Sequence, residues 1–154
     1  MFWLSCGGQT LSMLRIVPFN SSLVNSIETD FEFPESMRAA FDNGKQVIGY
    51  AVMGDDDVVA VGGIHEMWDG VGEGWVILSK HAPKWKLSLA RYAKTLFSSI
   101  LATTNLHRVQ ASIHTGDPEA IRFARWMGFE DEGVMYKFGP DGSNYYRMAR
   151  LNKC

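Results

Sequence analysis

Four cationic side chains, Lys80, His81, Lys84 and Lys86, fall within one short stretch near the middle of the chain. The protein as a whole has 15 Lys and Arg against 17 Asp and Glu, a formal charge of −2. That balance removes the bulk electrostatic drive of a nucleic-acid binder, so any basic site must be local. An acidic counterpart runs through Glu28, Asp30, Glu32 and Glu35. It reads either as a solvated loop or as a surface that draws in a cationic amine. Asp55, Asp56 and Asp57 follow Gly54, but they lack the alternation and distal Glu of a calcium loop, so they read as an exposed hairpin tip. Cys6 and Cys154 stand at opposite ends with no CxxC spacing and no paired histidines, which gives no metal site. They read as free thiols in a reducing compartment, with a terminal-to-terminal disulfide as the alternative. Glu73, His65, Glu66 and His114 lie near strand ends, and Tyr136, Tyr145 and Tyr146 in a final hairpin. No Ser-His-Asp, Cys-His or paired-carboxylate arrangement stands out, which argues against a hydrolase.

The elements that must position these groups follow from periodicity. With 154 residues, 46% hydrophobic and 21% charged, the chain has room for one domain with a sizeable core. No uncharged apolar run approaches the roughly 18 residues of a membrane span, and the first eight residues lack the basic region of a secretion signal. Residues 1–12 read as an extension ahead of a single domain over 13–154. A first strand over 14–17 ends at Pro18. Two short helices follow, one capped within Asn20-Ser21-Ser22 and one over 34–41. Strands at 46–53 and 58–64 make a hairpin, and the glycine-rich stretch 67–74 reads as a loop. A strand over 74–78 then leads into a helix over 83–104. Its apolar stripe is Trp85, Leu89, Ala93, Leu96, Phe97, Ile100 and Leu101. After a strand over 108–114, Asp117-Pro118-Glu119 opens another helix with a cap, a proline at its first position and an early acid. Gly128 closes it, and 134–138 with 145–151 form the last hairpin. The strand, helix and strand between 74 and 114 predict a right-handed crossover joining parallel neighbours.

The run Asp117-Pro118-Glu119-Ala120-Ile121-Arg122-Phe123-Ala124-Arg125-Trp126-Met127-Gly128-Phe129 resembles the N-x-x-A-I-x-F-Y-x-x-x-G-F helix of the GCN5-related N-acetyltransferase (GNAT) superfamily. With the strand before it and the hairpin after it, the resemblance covers about half the chain. More weakly, the tryptophan-rich edge and the lysine loop are similar to GNAT-like proteins of tailed phages, some of which are internal virion proteins. The family resemblance implies an α+β fold, a mixed and mostly antiparallel twisted sheet flanked by helices. It implies acetyl-CoA as cofactor and an amine, of a small molecule or a protein, as acceptor. The cofactor would lie where the fourth and fifth strands part, against the backbone of Val76, Ile77 and Leu78. Its diphosphate would meet the helix start at Lys80, His81, Lys84 and Lys86, with Asp117 at the position of a family asparagine. Glu73 stands where some relatives place a general base.

Two departures accompany the resemblance. No glycine occurs between Gly74 and Gly116, although the family builds its phosphate turn from glycines, and Pro83 and Trp85 occupy that turn. Ala124 stands where many members carry the tyrosine that protonates the departing thiolate. The lysines either compensate as point charges or simply point into water. The first reading is an acetyl-CoA-dependent N-acetyltransferase with a degenerate site, acting in the cytoplasm. The second is a structural or interaction protein that keeps the fold without the chemistry, such as a component of a phage assembly in the host cytoplasm or the virion. Exposure of any of Trp3, Trp68, Trp75, Trp85 or Trp126 would favour an interaction surface.

Overall fold

The computed structural model describes residues 13–30 and 47–152. The predicted extension over 1–12, the helix over 34–41, Trp3, Glu32, Glu35 and both cysteines lie outside the described residues. The described chain runs β1 (Leu14–Pro18), α1 (Ser21–Ser26), β2 (Val47–Gly54), β3 (Asp57–Trp68) and β4 (Val71–Leu78). A 3₁₀ turn over Ala82–Trp85 then leads into α2 (Lys86–Thr103), followed by β5 (Arg108–His114), α3 (Pro118–Trp126), β6 (Glu130–Met135) and β7 (Tyr145–Leu151). The strands form one seven-stranded sheet in the order β1-β2-β3-β4-β5-β7-β6. Among its neighbours only β4 and β5 are parallel. The expected mixed, mostly antiparallel sheet with a helical crossover between 74 and 114 is therefore present.

Local chemistry explains most boundaries. Asn20 accepts from the Ser22 N–H and caps α1. Asp117 Oδ1 accepts from the Ala120 N–H at 2.9 Å and caps α3, with Pro118 in its first turn. Gly128, at φ +91°, ends α3 in the left-handed region that glycine enters without steric cost. The Gly54–Asp57 tip is the tight hairpin turn expected, with Asp55 left-handed at φ 56°.

Two boundaries and one burial pattern differ from what the sequence predicts. The stretch 67–74 is not a loop: β3 continues through Trp68, Asp69-Gly70 makes the turn, and β4 begins at Val71. Glycine misleads there because it serves packing rather than a turn. A Cβ on Gly72 would lie 2.4 Å from Ile64 Cγ2 across the strand pair. The strand expected over 134–138 instead spans Glu130–Met135. Its residues Glu130, Asp131 and Glu132 lack an apolar period because β6 is an edge strand, where charge discourages further pairing. The stripe of α2 is also buried unevenly. Phe97, Ile100 and Leu101 are buried, whereas Trp85, Leu89, Ala93 and Leu96 are half-buried.

One core lies between α2, α3 and the sheet. Phe97, Ile100, Leu101, Leu106, Ala124, Met127 and Phe129 pack there on Ile64, Val109 and Met148. Phe97 and Phe129 meet with ring centroids 5.4 Å apart. Arg150 lies over Phe97 and donates to the Met127 carbonyl at 2.8 Å, satisfying an acceptor at the end of α3. On the other face, Val24 and Ile27 pack on Ala51, Val58, Val61 and Ile77. Since Ile100 is 4% exposed, Ile100→Ala should cost about 2–5 kcal/mol in denaturant unfolding. Leu96→Ala should cost less, and Lys84→Ala well under about 1 kcal/mol. A larger loss from the lysine change would show that the assigned helix faces are wrong.

Candidate functional site

β4 and β5 pair over three positions only, Val71 with Arg108, Gly72 with Val109 and Glu73 with Gln110. Beyond Glu73 the two strands diverge, and β4 from Gly74 to Leu78 continues with β3 alone as its paired neighbour. The helix α2 runs back from the end of β4 to the start of β5, so its N-terminal half lies beside this divergence, where there is less sheet to cover it. Val76 and Leu78 are about half exposed, at 52% and 50%, while Ile77 between them is buried in the opposite core. The parting strands thus present an open backbone edge next to apolar side chains.

Glu73 marks the point of divergence. Its Oε1 accepts from Ser112 Oγ at 2.9 Å, and its Oε2 accepts from Gln110 Nε2 at 2.9 Å and from Arg147 Nη1 at 3.3 Å. Gln110 is buried, and the orientation of its amide follows from its partners. Arg108 donates to Gln110 Oε1 from Nε and Nη2 at 3.3 and 3.2 Å, so the amide N–H₂ must face Glu73 and Met67 Sδ. Arg108 in turn grips Glu132 with two hydrogen bonds of 2.8 and 2.5 Å. Strand register places these groups on one face. Ser112 is paired with Arg147 and His114 with Tyr145, while His65 is paired with Glu73 from the β3 side. His114 and Tyr145 meet edge to face at 5.2 Å, and Tyr145 meets Phe138 at 5.4 Å.

The lysine turn is built differently. Lys80 forms an ion pair with Glu28, and His81 Nε2 lies 3.7 Å from the same carboxylate. The Glu28 carboxyl is held below its ordinary range by the Lys80 hydrogen bond and charge, and the Lys80 ammonium is raised by the same contacts. Lys84 lies 5.0 Å from the centre of the Trp85 ring. Lys86 donates to Glu119 Oε1 at 2.7 Å, joining the first turns of α2 and α3 and lowering the Glu119 carboxyl. Of the four cations, Lys84 and Lys86 remain near the start of α2. No side chain caps that start, and the Lys86 N–H is spent on the Pro83 carbonyl of the preceding 3₁₀ turn. Asp117 spends its carboxylate on the α3 cap. Ala124 is buried in the helical core.

Arg108, Gln110, Ser112 and Arg147 were absent from the sequence reading. A signal for two of them existed, since Gln110, Ser112 and His114 alternate with apolar residues along β5 and so must share one face. Arg108 and Arg147 enter only through tertiary pairing with acids 24 and 74 positions away.

No protein-family model matches this sequence, and no curated protein does. Solved structures do match in fold. Ard1 from Thermoplasma volcanium superposes with a TM-score of 0.70 at 15% identity, covering 92% of this chain and 99% of that one. The ribosomal-protein-S18-alanine N-acetyltransferase of Escherichia coli gives 0.72 at 13% identity, covering 90% and 94%. An acetyltransferase of the GNAT family from Streptococcus pneumoniae gives 0.66 at 17% identity, covering 92% and 100%. The chain therefore has the GNAT fold.

The Arg108–Glu132 pair makes a pH prediction. Glu132 is lowered from its ordinary 4.5 by the Arg108 hydrogen bond, against the opposing effect of burial. A depressed carboxyl stabilises the fold above its unfolded value and loses that contribution as pH falls through the folded one. Acid titration of folding should therefore show the wild type losing more stability than Glu132→Gln below about pH 4.5, while the two run parallel between pH 6 and 8. Parallel curves at all pH values would show that the pair contributes nothing.

Proposed function

We propose that this protein is an acetyl-CoA-dependent N-acetyltransferase whose acceptor amine approaches the sheet face that carries Glu73. The observation that carries the reading is the divergence of β4 and β5 immediately after Glu73 and Gln110. It leaves β4 from Gly74 to Leu78 with a strand neighbour on the β3 side only, and an amide-containing ligand arm can add along the other side as a strand would. The residues present fit such a ligand. Val76, Ile77 and Leu78 offer the backbone edge, with Val76 and Leu78 exposing apolar surface beside it. Lys84 and Lys86 offer positive charge for phosphate oxygens, beside the positive end of the α2 dipole. Lys80 and His81 reach that region only by leaving Glu28.

Acetyl-CoA, when bound, supplies an acetyl group activated as a thioester. The task of this chain is to align an amine with it and to accept a proton as the nitrogen–carbon bond forms and the carbon–sulfur bond breaks. Glu73 is suited to that proton. Its carboxylate is fixed in direction by three donors, and a carboxylate has roughly four acceptor positions, which leaves capacity for one more donor. Ala124 offers no proton to the departing sulfur, which leaves that proton to solvent. General acid help is worth about 10²–10⁴-fold, so its loss slows transfer without abolishing it.

A second reading has its own observation. Trp68 and Trp126 are exposed, at 60% and 46%, as an interaction surface on a non-catalytic member of the fold would require. Cofactor binding separates the two. With a Kd on the order of 10 μM, 1 mM acetyl-CoA should stabilise the fold by about 2.7 kcal/mol and raise the melting temperature by about 5–10 °C. The shift should shrink in high salt and in the Lys84→Ala, Lys86→Ala double variant, because exposed phosphate contacts are screened. Glu73→Gln should keep the shift while lowering kcat by about 10²-fold or more. A folded protein that shows no shift with acetyl-CoA, CoA or longer acyl-CoAs would leave the scaffold reading standing.

A further inference from the structure

The arginine beside Glu73 is held in an unusual way. Arg147 donates from Nη1 to Glu73 at 3.3 Å, a long contact for an ion pair, and from Nη2 to the thioether of Met135 at 3.2 Å. A thioether is a weak acceptor, and a guanidinium carries further N–H donors that these two contacts leave unspent. Arg108, by contrast, has both Nη groups on the two oxygens of Glu132. Arg147 is not sealed in the interior, since a quarter of its side chain (25%) is accessible, as is 20% of Glu73. The site therefore sets a half-buried carboxylate directly beside a half-buried guanidinium that reaches it over a long contact and spends its other Nη on a sulfur.

We propose that the acceptor is a small molecule carrying its amine and a carboxylate on the same carbon, a free α-amino acid. This rests on the reading of Glu73 as the group that faces the amine. The ammonium of such a molecule meets Glu73, and its carboxylate replaces the Met135 sulfur on Arg147. Because both charges sit on one carbon, they match two protein charges that are themselves in contact. A guanidinium also presents a planar fork suited to two carboxylate oxygens. The alternatives fit less well. A polyamine would bring a second positive charge against Arg147, and a peptide N-terminus would offer it a neutral amide. The sulfurs of Met67 and Met135, which touch Gln110 and Arg147, add apolar and adaptable walls, which favours amino acids with apolar side chains.

The experiment measures binding directly and needs no cofactor. Calorimetric titration would compare L-methionine, L-leucine and L-phenylalanine with their α-amides and with the matching decarboxylated amines. At least one amino acid should bind at least tenfold more tightly than both of its carboxylate-free analogues. Arg147→Lys, which keeps the charge and loses the fork, should erase most of that preference by weakening the amino acid far more than its amide. A thermal melt of each variant checks folding, and should the arginine variant be destabilised, the wild-type preference for the amino acid over its amide and amine decides the proposal. An amide or amine that binds as well as its amino acid, or no binding by any of the set up to 10 mM, overturns the proposal. Amino-acid binding in a protein that gives no acetyl-CoA shift would defeat the transferase reading alone. Acetyl transfer to spermidine or an alanine-terminated peptide, without any amino-acid binding, would defeat this proposal alone.

Discussion

The brevity of the β4–β5 pairing governs this structure. Parallel strands joined by a helix usually pair along their length, and here they pair over three positions before separating. Hydrogen-bonding groups on β4 beyond Glu73 are paired toward β3 and open toward β5, and the helix beside them sits over a gap rather than a continuous sheet. The gradual burial of α2, half-buried at Leu89 and buried at Ile100, follows from that geometry. The same separation brings solvent to a sheet face that would otherwise close over it. Glu73, Ser112 and Arg147 can therefore be both held and reachable.

Holding them needs compensation, because polar groups on a half-covered face lose hydration. The network answers by pairing every charge that it contains. Arg108 satisfies Glu132 and orients Gln110, Gln110 and Ser112 satisfy Glu73, and Arg147 completes the set. Such a chain fixes directions as well as energies, since Gln110 has only one amide orientation compatible with both Arg108 and Glu73. The member with the poorest partner is Arg147. In a network that is otherwise well matched, the weakly satisfied group is the one to which an external ligand contributes most.

The parts of this arrangement that sequence reveals are local ones. Asp117-Pro118 and Gly128 predict a helix because capping needs only neighbouring residues, and that helix is found at those bounds. The helical crossover between parallel strands follows from element order, and it too is found. Legibility ends where a residue's role is fixed by a distant strand. Gly72 and Gly74 read as loop because nothing nearby reveals Ile64 packed over Gly72 and Val109 beside Gly74. Glu130, Asp131 and Glu132 read as non-strand because an edge strand carries no apolar period. The sequence offers Glu73 only through a family resemblance; its donors come from β5 and β7, and no periodicity in β7 singles out Arg147.

Charges in this protein fall into two groups that differ in how readily they change partners. The pairs at the lysine turn, Lys80 with Glu28 and Lys86 with Glu119, have side chains 47–67% exposed, where water and salt screen the attraction and each partner is easily exchanged. A phosphate group with two charges can outcompete a lone carboxylate for such a lysine, so these contacts do not close the start of α2 to an anion. Glu119 nevertheless remains nearby and repels that anion, a cost the glycine turns of related folds do not carry. The pairs on the sheet face are only 20–40% exposed, and separating them strands a charge in a poorly hydrated setting. They persist unless a ligand replaces both charges together. The exposed lysine pairs are thus easily exchanged and the sheet-face pairs are not; under the function proposed above, the first would meet a charged cofactor tail and the second would select what is placed beside it.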